Sequence, residues 1–312
     1  MKDYLRIAGC LLLGLGGAGA EEKRFTYERP LMGTKFAITC YGEDEAAAKK
    51  AAGEAFAAGA EINAIASDYL ADSELMQLSG KTGAVKVSPL LGELLDAAFT
   101  KAAETEGAFD PTLGPLSRLW RKSREAGALP AAEVLATAKA ASGRGNAEWD
   151  RAAGTIRLKK PGMQLDLGGI AKGFAADKMY EVMKKRGFPR ALIAAGGDLR
   201  LGEPPPGKAA WRVGLQTFDE EEPEEVVELV NCAVSTSGDL HQFVEIGGKR
   251  YSHILDPETG LGLTERIAVR VIAPTATLTD ALATAACVAG TEKAEAMCLK
   301  AGATRVVVRK GK

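Results

Sequence analysis

Apolar and polar residues alternate with a period of two over residues 25–41, interrupted by Met32-Gly33-Thr34. That pattern predicts a strand pair around a tight turn. Over 43–65 the period changes: Ala47, Ala51, Ala55, Ala58, Ile62 and Ile65 recur at helical spacing among charged residues, predicting a long amphipathic helix. A polar loop follows over 68–78, where Asp72 and Ser73 are able to cap a short helix. Ser88-Pro89 opens a helix over 89–105, and Gly107-Ala108-Phe109-Asp110-Pro111-Thr112 ends it in a turn. Residues 121–142 read as polar helix and linker, with Pro130 starting another helix. A hairpin is expected over 149–158 around Ala153-Gly154.

The second half centres on residues 164–177, QLDLGGIAKGFAAD. Met163, Leu165 and Leu167 form a short apolar approach, Gly168-Gly169 a turn, and Ala171, Phe174, Ala175, Met179, Val182 and Met183 a helical stripe ending near Gly187. Strand, glycine turn and helix start is the expected order, with backbone N–H groups left free at the helix N-terminus. The spacing is neither that of a P-loop nor that of a Rossmann turn. Further strands are expected over 191–201, 211–215, 232–237, 242–246, 251–255, 268–273 and 304–309, with helices over 279–289 and 292–300. Strands and helices mix without strict βαβ alternation, so the fold class predicted is α+β, with mixed or antiparallel sheets and packed helices.

The 312-residue chain is 46% hydrophobic and 26% charged, an ordinary globular balance. Forty Lys+Arg stand against 41 Asp+Glu; without a basic excess, nucleic acid is not expected as a partner. Residues 1–20 read as an export signal, with Lys2 and Arg6 ahead of a short apolar core and Ala18-Gly19-Ala20 as the cleavage site. A mature domain over 21–312, outside the cytoplasm, is the expectation. Ile7-Ala8-Gly9-Cys10 also resembles a lipobox, so a lipid anchor on Cys10 is the alternative. Cys40, Cys232, Cys287 and Cys298 show no metal-ligand spacing, and the Ala-rich surroundings of the last two suit buried small hydrophobes. The acidic run 219–225 reads as solvated surface.

Three groups suggest chemistry. Asp280 and Thr284 are four apart, on one face of an otherwise small, apolar helix. They suit a hard cation such as Mg²⁺; the other reading is a helix cap, with Thr279 as cap and Asp280 complementing the dipole. His253 lies where a predicted strand runs into the turn Asp256-Pro257-Glu258-Thr259-Gly260, and an imidazole is the natural base at neutral pH. His241 lacks such a context and reads as structural. Lys172 and Asp166 flank the Gly168-Gly169 turn.

Taken in order, Met32-Gly33-Thr34, Asp72-Ser73-Glu74-Leu75, the 107–112 turn, Leu165 to Gly173, Ala195-Gly196-Gly197-Asp198, Thr236-Ser237-Gly238, His253 to Gly260 and Asp280 to Ala285 resemble the FAD:protein FMN transferase family, also called flavin transferases or the ApbE family. Each motif alone is weak; eight in order, spanning nearly all of the mature chain, are specific. The resemblance implies an ApbE-like fold. It also implies Mg²⁺-dependent transfer of FMN from FAD to a Thr or Ser hydroxyl of an acceptor protein, with release of AMP. The acceptor implied carries a Ser/Thr-rich flavinylation motif, as in a periplasm-facing membrane redox subunit. By matching position, Met32, Tyr69, Ala108, Phe109, Asp110, Asp166, Lys172, Ile254 and Ala283 would line the FAD site. Asp280, Thr284 and the Gly169 carbonyl would hold the metal, and His253 would be the base. Asp198 and Asp256 would brace loops or orient His253.

Two places depart from the family pattern. A Pro is common two residues after Thr259-Gly260, where this chain has Gly262; and an aromatic and an Arg are common after Asp239, where it has Leu240, His241 and Gln242. Both border the expected acceptor-facing side. Rival readings of the same residues are a FAD pyrophosphatase, with water as acceptor, and a flavin carrier without turnover.

Overall fold

The computed structural model describes residues 22–311 except 82, 216–224 and 239–241. The export signal with Cys10, most of the acidic run, and Leu240 and His241 lie outside the described residues. The elements run β1 (Lys23–Leu31), β2 (Thr34–Gly42), α1 (Glu45–Ala66), α2 (Glu74–Gln77), β3 (Ala84–Lys86), α3 (Pro89–Glu104), α4 (Gly114–Ala126) and α5 (Ala132–Ala140). They continue with β4 (Ala147–Asp150), β5 (Thr155–Leu158), α6 (Ala171–Lys185), β6 (Ala191–Ala195), β7 (Asp198–Leu201), β8 (Trp211–Leu215), β9 (Glu225–Leu229) and β10 (Ala233–Gly238). The last are β11 (Phe243–Ile246), β12 (Lys249–Ser252), β13 (Ile267–Ala273), α7 (Ala276–Lys300) and β14 (Arg305–Lys310).

Seven strands form one antiparallel sheet in the order β1-β2-β6-β7-β10-β13-β14. The period-two pattern decides its faces. Phe36, Ile38 and Cys40 of β2 and Ile193 and Ala195 of β6 point into the main core, which the buried faces of α1 and α6 complete. Thr39, Leu192 and Val234 belong to the other face, part of which the antiparallel β8–β9 ribbon covers with Trp211, Val213 and Val227. The β1–β2 turn carries Met32 at φ 50° and Gly33 at φ 72°, the two positive values that a two-residue hairpin turn needs. Met32 takes that conformation at the usual cost of a non-glycine residue, beside the cleft described below.

Caps agree with the sequence at two helices. Ser73 accepts from Met76 N–H and Ser88 from Leu91 N–H, with Pro89 in the first turn. Elsewhere the chain differs from expectation. Residues 163–167 form no strand; Met163, Leu165 and Leu167 are buried in irregular backbone leading to the glycine turn, tied down where the Asp166 N–H donates to the Pro111 carbonyl at 2.8 Å. The predicted strand over 191–201 is a hairpin, β6 and β7, folded back at Gly196-Gly197. Helix α4 starts at Gly114, ahead of the polar run taken as its beginning, because Pro115 suits a first turn. The two C-terminal helices are one element interrupted at Gly290. None of the four cysteines among the described residues forms a disulfide, and Cys287 and Cys298 are buried as expected.

Candidate active site

The turns of β1–β2 and β6–β7, the start of α6 and the first half of α7 meet along one cleft of about 1860 Å³. Met32, Tyr69, Ala108, Phe109, Asp110, Asp166, Gly169, Lys172, His253, Ile254, Asp280 and Thr284 all line it. Residues separated by as much as 252 positions in sequence are thus brought together. Ala283 is the exception: it is fully buried in the cluster that contains Ile254, Val269 and Leu282. It flanks Asp280 and Thr284 on α7 but turns towards the sheet, so it supports the wall without lining it.

Helix α7 begins at Ala276 and is capped by Thr275, so the alternative reading of Thr279 and Asp280 as its cap does not hold. Thr279 instead shares a 2.7 Å hydroxyl–hydroxyl hydrogen bond with Ser235 of β10. Asp280 sits in the second turn and reaches across to α6, where it accepts the Gly173 N–H and the Lys172 ammonium, each at 3.0 Å. Lys172 also donates to Asp198 at 2.8 Å. One ammonium therefore lies between two nearly buried carboxylates, its side chain 30% exposed to the cleft. Burial works to lower the Lys172 ammonium, but Asp198 and Asp280 outweigh it and hold it above the ordinary lysine value. Burial and the neighbouring Asp198 push Asp280 up to about 6, against the pull of Lys172 and the Gly173 N–H. Asp198 therefore braces Lys172.

The oxygen donors fit a hard divalent cation. A Cβ on Gly169 would lie 3.1 Å from Thr284 Oγ1, so the hydroxyl stands against the Gly169 backbone one helical turn from Asp280. No group of three or more His, Cys, Asp or Glu that suits a metal occurs among the described residues. One carboxylate, a hydroxyl and a backbone carbonyl would leave coordination positions to phosphate oxygens and water, as Mg²⁺ sites commonly do.

A second ionic group, which local pattern did not reveal, lines the same cleft. Arg121 of α4 pairs with Asp68 and lies 3.4 Å from Asp166. Its guanidinium lies 4.1 Å from the centroid of the Tyr69 ring. Tyr69 is 76% exposed, so one ring face rests on Arg121 and the other is open to a flat heterocycle. Burial, and then Asp166, push Asp68 up to about 6, with Arg121 opposing. Asp166 also accepts the Gly168 N–H at 2.8 Å, bracing the glycine turn. Asp110 turns back on its own loop, accepting from the Thr112 N–H and hydroxyl.

His253 follows β12. Its N–H donates to the Gln242 carbonyl at 3.0 Å, and Nδ1 is 3.1 Å from the same oxygen. The tautomer that donates from Nδ1 leaves the Nε2 lone pair to accept a proton. Trp120 of α4 fixes the preceding residue: its indole N–H donates to the Ser252 carbonyl at 2.9 Å, and its ring meets Tyr251 edge-on. This explains one departure from the family pattern. A Cβ at Gly262 would lie 2.1 Å from the Ser252 oxygen and 2.7 Å from the Trp120 ring, so this chain has no room there for Pro. Asp256 accepts the Glu258 N–H at 2.8 Å and braces the following turn.

The chain is similar to known proteins in both sequence and fold. The sequence matches the ApbE family over residues 32–308. It is 34% identical to the FAD:protein FMN transferase of Treponema pallidum over 92% of this chain and 85% of that protein. It is 33% identical to that of Klebsiella pneumoniae over 90% and 83%. Among solved structures, the apbe protein of Thermotoga maritima superposes with a TM-score of 0.84 at 29% identity, covering 92% of this chain and 94% of that one. Flavin Transferase ApbE from Vibrio cholerae gives 0.82 at 28%, covering 93% of each. The chain belongs to the ApbE family.

Proposed function

We propose that the protein transfers FMN from FAD to a Thr or Ser hydroxyl of an acceptor protein through a phosphoester bond, releasing AMP. One observation carries the reading: Lys172, set between Asp198 and Asp280 beside Thr284 and Gly169, lines the same cleft as His253 and the Tyr69 ring. A cationic group, oxygen ligands, a base and a stacking surface are what splitting a dinucleotide pyrophosphate onto a hydroxyl requires.

In this reading FAD lies along Met32, Tyr69, Phe109 and Ile254, with its flat rings against the apolar wall. The Lys172 ammonium and the N-terminal turn of α6 orient the pyrophosphate. His253 takes the proton of the acceptor hydroxyl as its oxygen attacks the FMN phosphorus. The P–O bond to AMP breaks on the opposite side, and AMP leaves with the bridging oxygen. A divalent cation held by Asp280, Thr284 and the Gly169 carbonyl would supply charge stabilisation to the phosphate oxygens.

The reading extends to location. Residues 1–20 act as an export signal, or Cys10 carries a lipid. Residues 21–312 form the flavin transferase domain, at or near the periplasmic face of a membrane, where a redox subunit with a Ser/Thr-rich motif is the acceptor. The test incubates purified protein with FAD, Mg²⁺ and an acceptor fragment bearing such a motif. A fluorescent acceptor band that survives denaturation and disappears with EDTA is expected. Free FMN and AMP without that band would mark a pyrophosphatase, and bound FAD without products a carrier.

A further inference from the structure

The residues assigned to FAD occupy one limb of the cleft. A second limb continues past them over the far face of the seven-stranded sheet, lined by Thr39, Tyr41, Leu192, Leu199, Val234 and Thr236. The whole cleft, about 1860 Å³, exceeds the roughly 300–1,000 Å³ usual for a small-molecule pocket. The limbs join beside the reaction centre: a Cβ on Gly197 would lie 3.6 Å from the Thr236 carbonyl, and the next residue, Asp198, holds Lys172.

The second limb has a strand edge along it. Trp211, Arg212, Val213 and Gly214 of β8 line the cleft, whereas Val226 alone does so from β9. Among the described residues β8 pairs with β9 only, so the other edge of β8 presents unpaired N–H and C=O groups to the cleft. The limb is also basic. Arg24, Lys208 and Arg212 line it, are exposed, and have no ion-pair partner among the described residues. Glu22, the one carboxylate lining it among the described residues, is engaged by Arg190.

We infer that this limb receives the acceptor's hydroxyl-bearing segment as an extended strand added to the free edge of β8, with an acidic flank of that segment seated on Arg24, Lys208 and Arg212. Strand addition needs no fixed side-chain sequence, since backbone groups supply the pairing. It suits a segment of Ser, Thr and small residues, which offers little apolar surface to grip. The cations add selectivity and steering. The inference rests on the transferase reading.

The test measures binding apart from chemistry. The probe is a fluorescein-labelled peptide with one Thr among Ser, Gly and Ala residues and a run of Glu at one end. Its anisotropy is titrated with the purified protein in EDTA, and FAD affinity is measured alongside. Reversing the three cations (Arg24→Glu, Lys208→Glu, Arg212→Glu) is expected to weaken peptide binding about tenfold or more and leave FAD affinity unchanged. A Lys-flanked peptide should regain affinity on that variant. A peptide N-methylated at alternate residues should bind the wild-type protein about tenfold more weakly. Undiminished binding by either the variant or the methylated peptide would overturn the inference. So would absence of wild-type binding, or a parallel loss of FAD affinity, which would assign the limb to FAD. Failure of the transferase reading shows separately, as no FMN transfer with Mg²⁺ present.

Discussion

The Asp280 carboxylate accepts the Gly173 backbone N–H at 3.0 Å, and this contact sets the distance between the two helices that carry the reaction centre. A Cβ on Gly173 would lie 2.1 Å from the Ala276 carbonyl oxygen and 2.9 Å from the Asp280 Cβ. Backbone cannot yield as a flexible side chain can. Gly173→Ala is therefore expected to cost at least the upper part of the roughly 1–3 kcal/mol typical of overpacking. It should also separate Asp280 from Lys172. Chemical denaturation together with FAD titration checks both; wild-type stability would mean that α6 and α7 are not locked at this crossing.

Asp280→Ala would leave Lys172 with Asp198 alone and open space in the core, so Asn is the better probe of the metal assignment. Asp280→Asn should lower Mg²⁺-dependent turnover by about 100-fold or more while preserving the helix contact through its amide oxygen. Turnover measured across a Mg²⁺ titration tests this, and activity that survives both EDTA and the substitution would remove Asp280 as a ligand.

For the base, His253→Gln should retain FAD binding and slow transfer by about 100- to 10,000-fold. The alkaline-rising limb of the pH–rate profile should disappear with it. Wild-type rates would assign proton removal to another group.

Trp120 acts on the same step through the backbone. Trp120→Phe keeps a ring beside Tyr251 but leaves the buried Ser252 carbonyl without its 2.9 Å donor, costing about 1–3 kcal/mol. A drop in kcat with unchanged FAD affinity is expected, because His253 is the next residue. A variant that loses stability alone, with kcat intact, would confine Trp120 to packing.

Asp68 gives stability a pH dependence. Its folded value of about 6 lies above the ordinary 3.8, so the folded state holds its proton more tightly than the unfolded chain. That contribution is fully present below about 4 and is lost as pH rises through about 6. Relative to Asp68→Asn, the wild-type protein should therefore lose stability across that window. Melting temperatures of both proteins over the range test the sign. A difference that is flat with pH would mean that Arg121 keeps Asp68 ionised throughout.

Much of this protein is written locally in its sequence. Period-two alternation around Met32-Gly33 specifies the first hairpin, because adjacent strand side chains take opposite faces. Helical spacing in residues 45–66 specifies α1, and Ser88-Pro89 the start of α3. The ordered motifs identify the family, and with it many of the residues that line the cleft. Local pattern failed where context decides: residues 163–167 have a strand's composition but no partner strand, and the apolar run 191–201 folds back on itself at two glycines. The tertiary structure alone decided the rest. Arg121 meets Asp68 and Asp166 from 53 and 45 positions away, Lys172 meets Asp280 from 108, and Trp120 meets Ser252 from 132. Ala283 turns into the core while its neighbour Thr284 faces the cleft. Periodicity reports which face of an element is apolar. Which charge faces which across the cleft depends on how those elements pack, and one chain pattern contains no record of that.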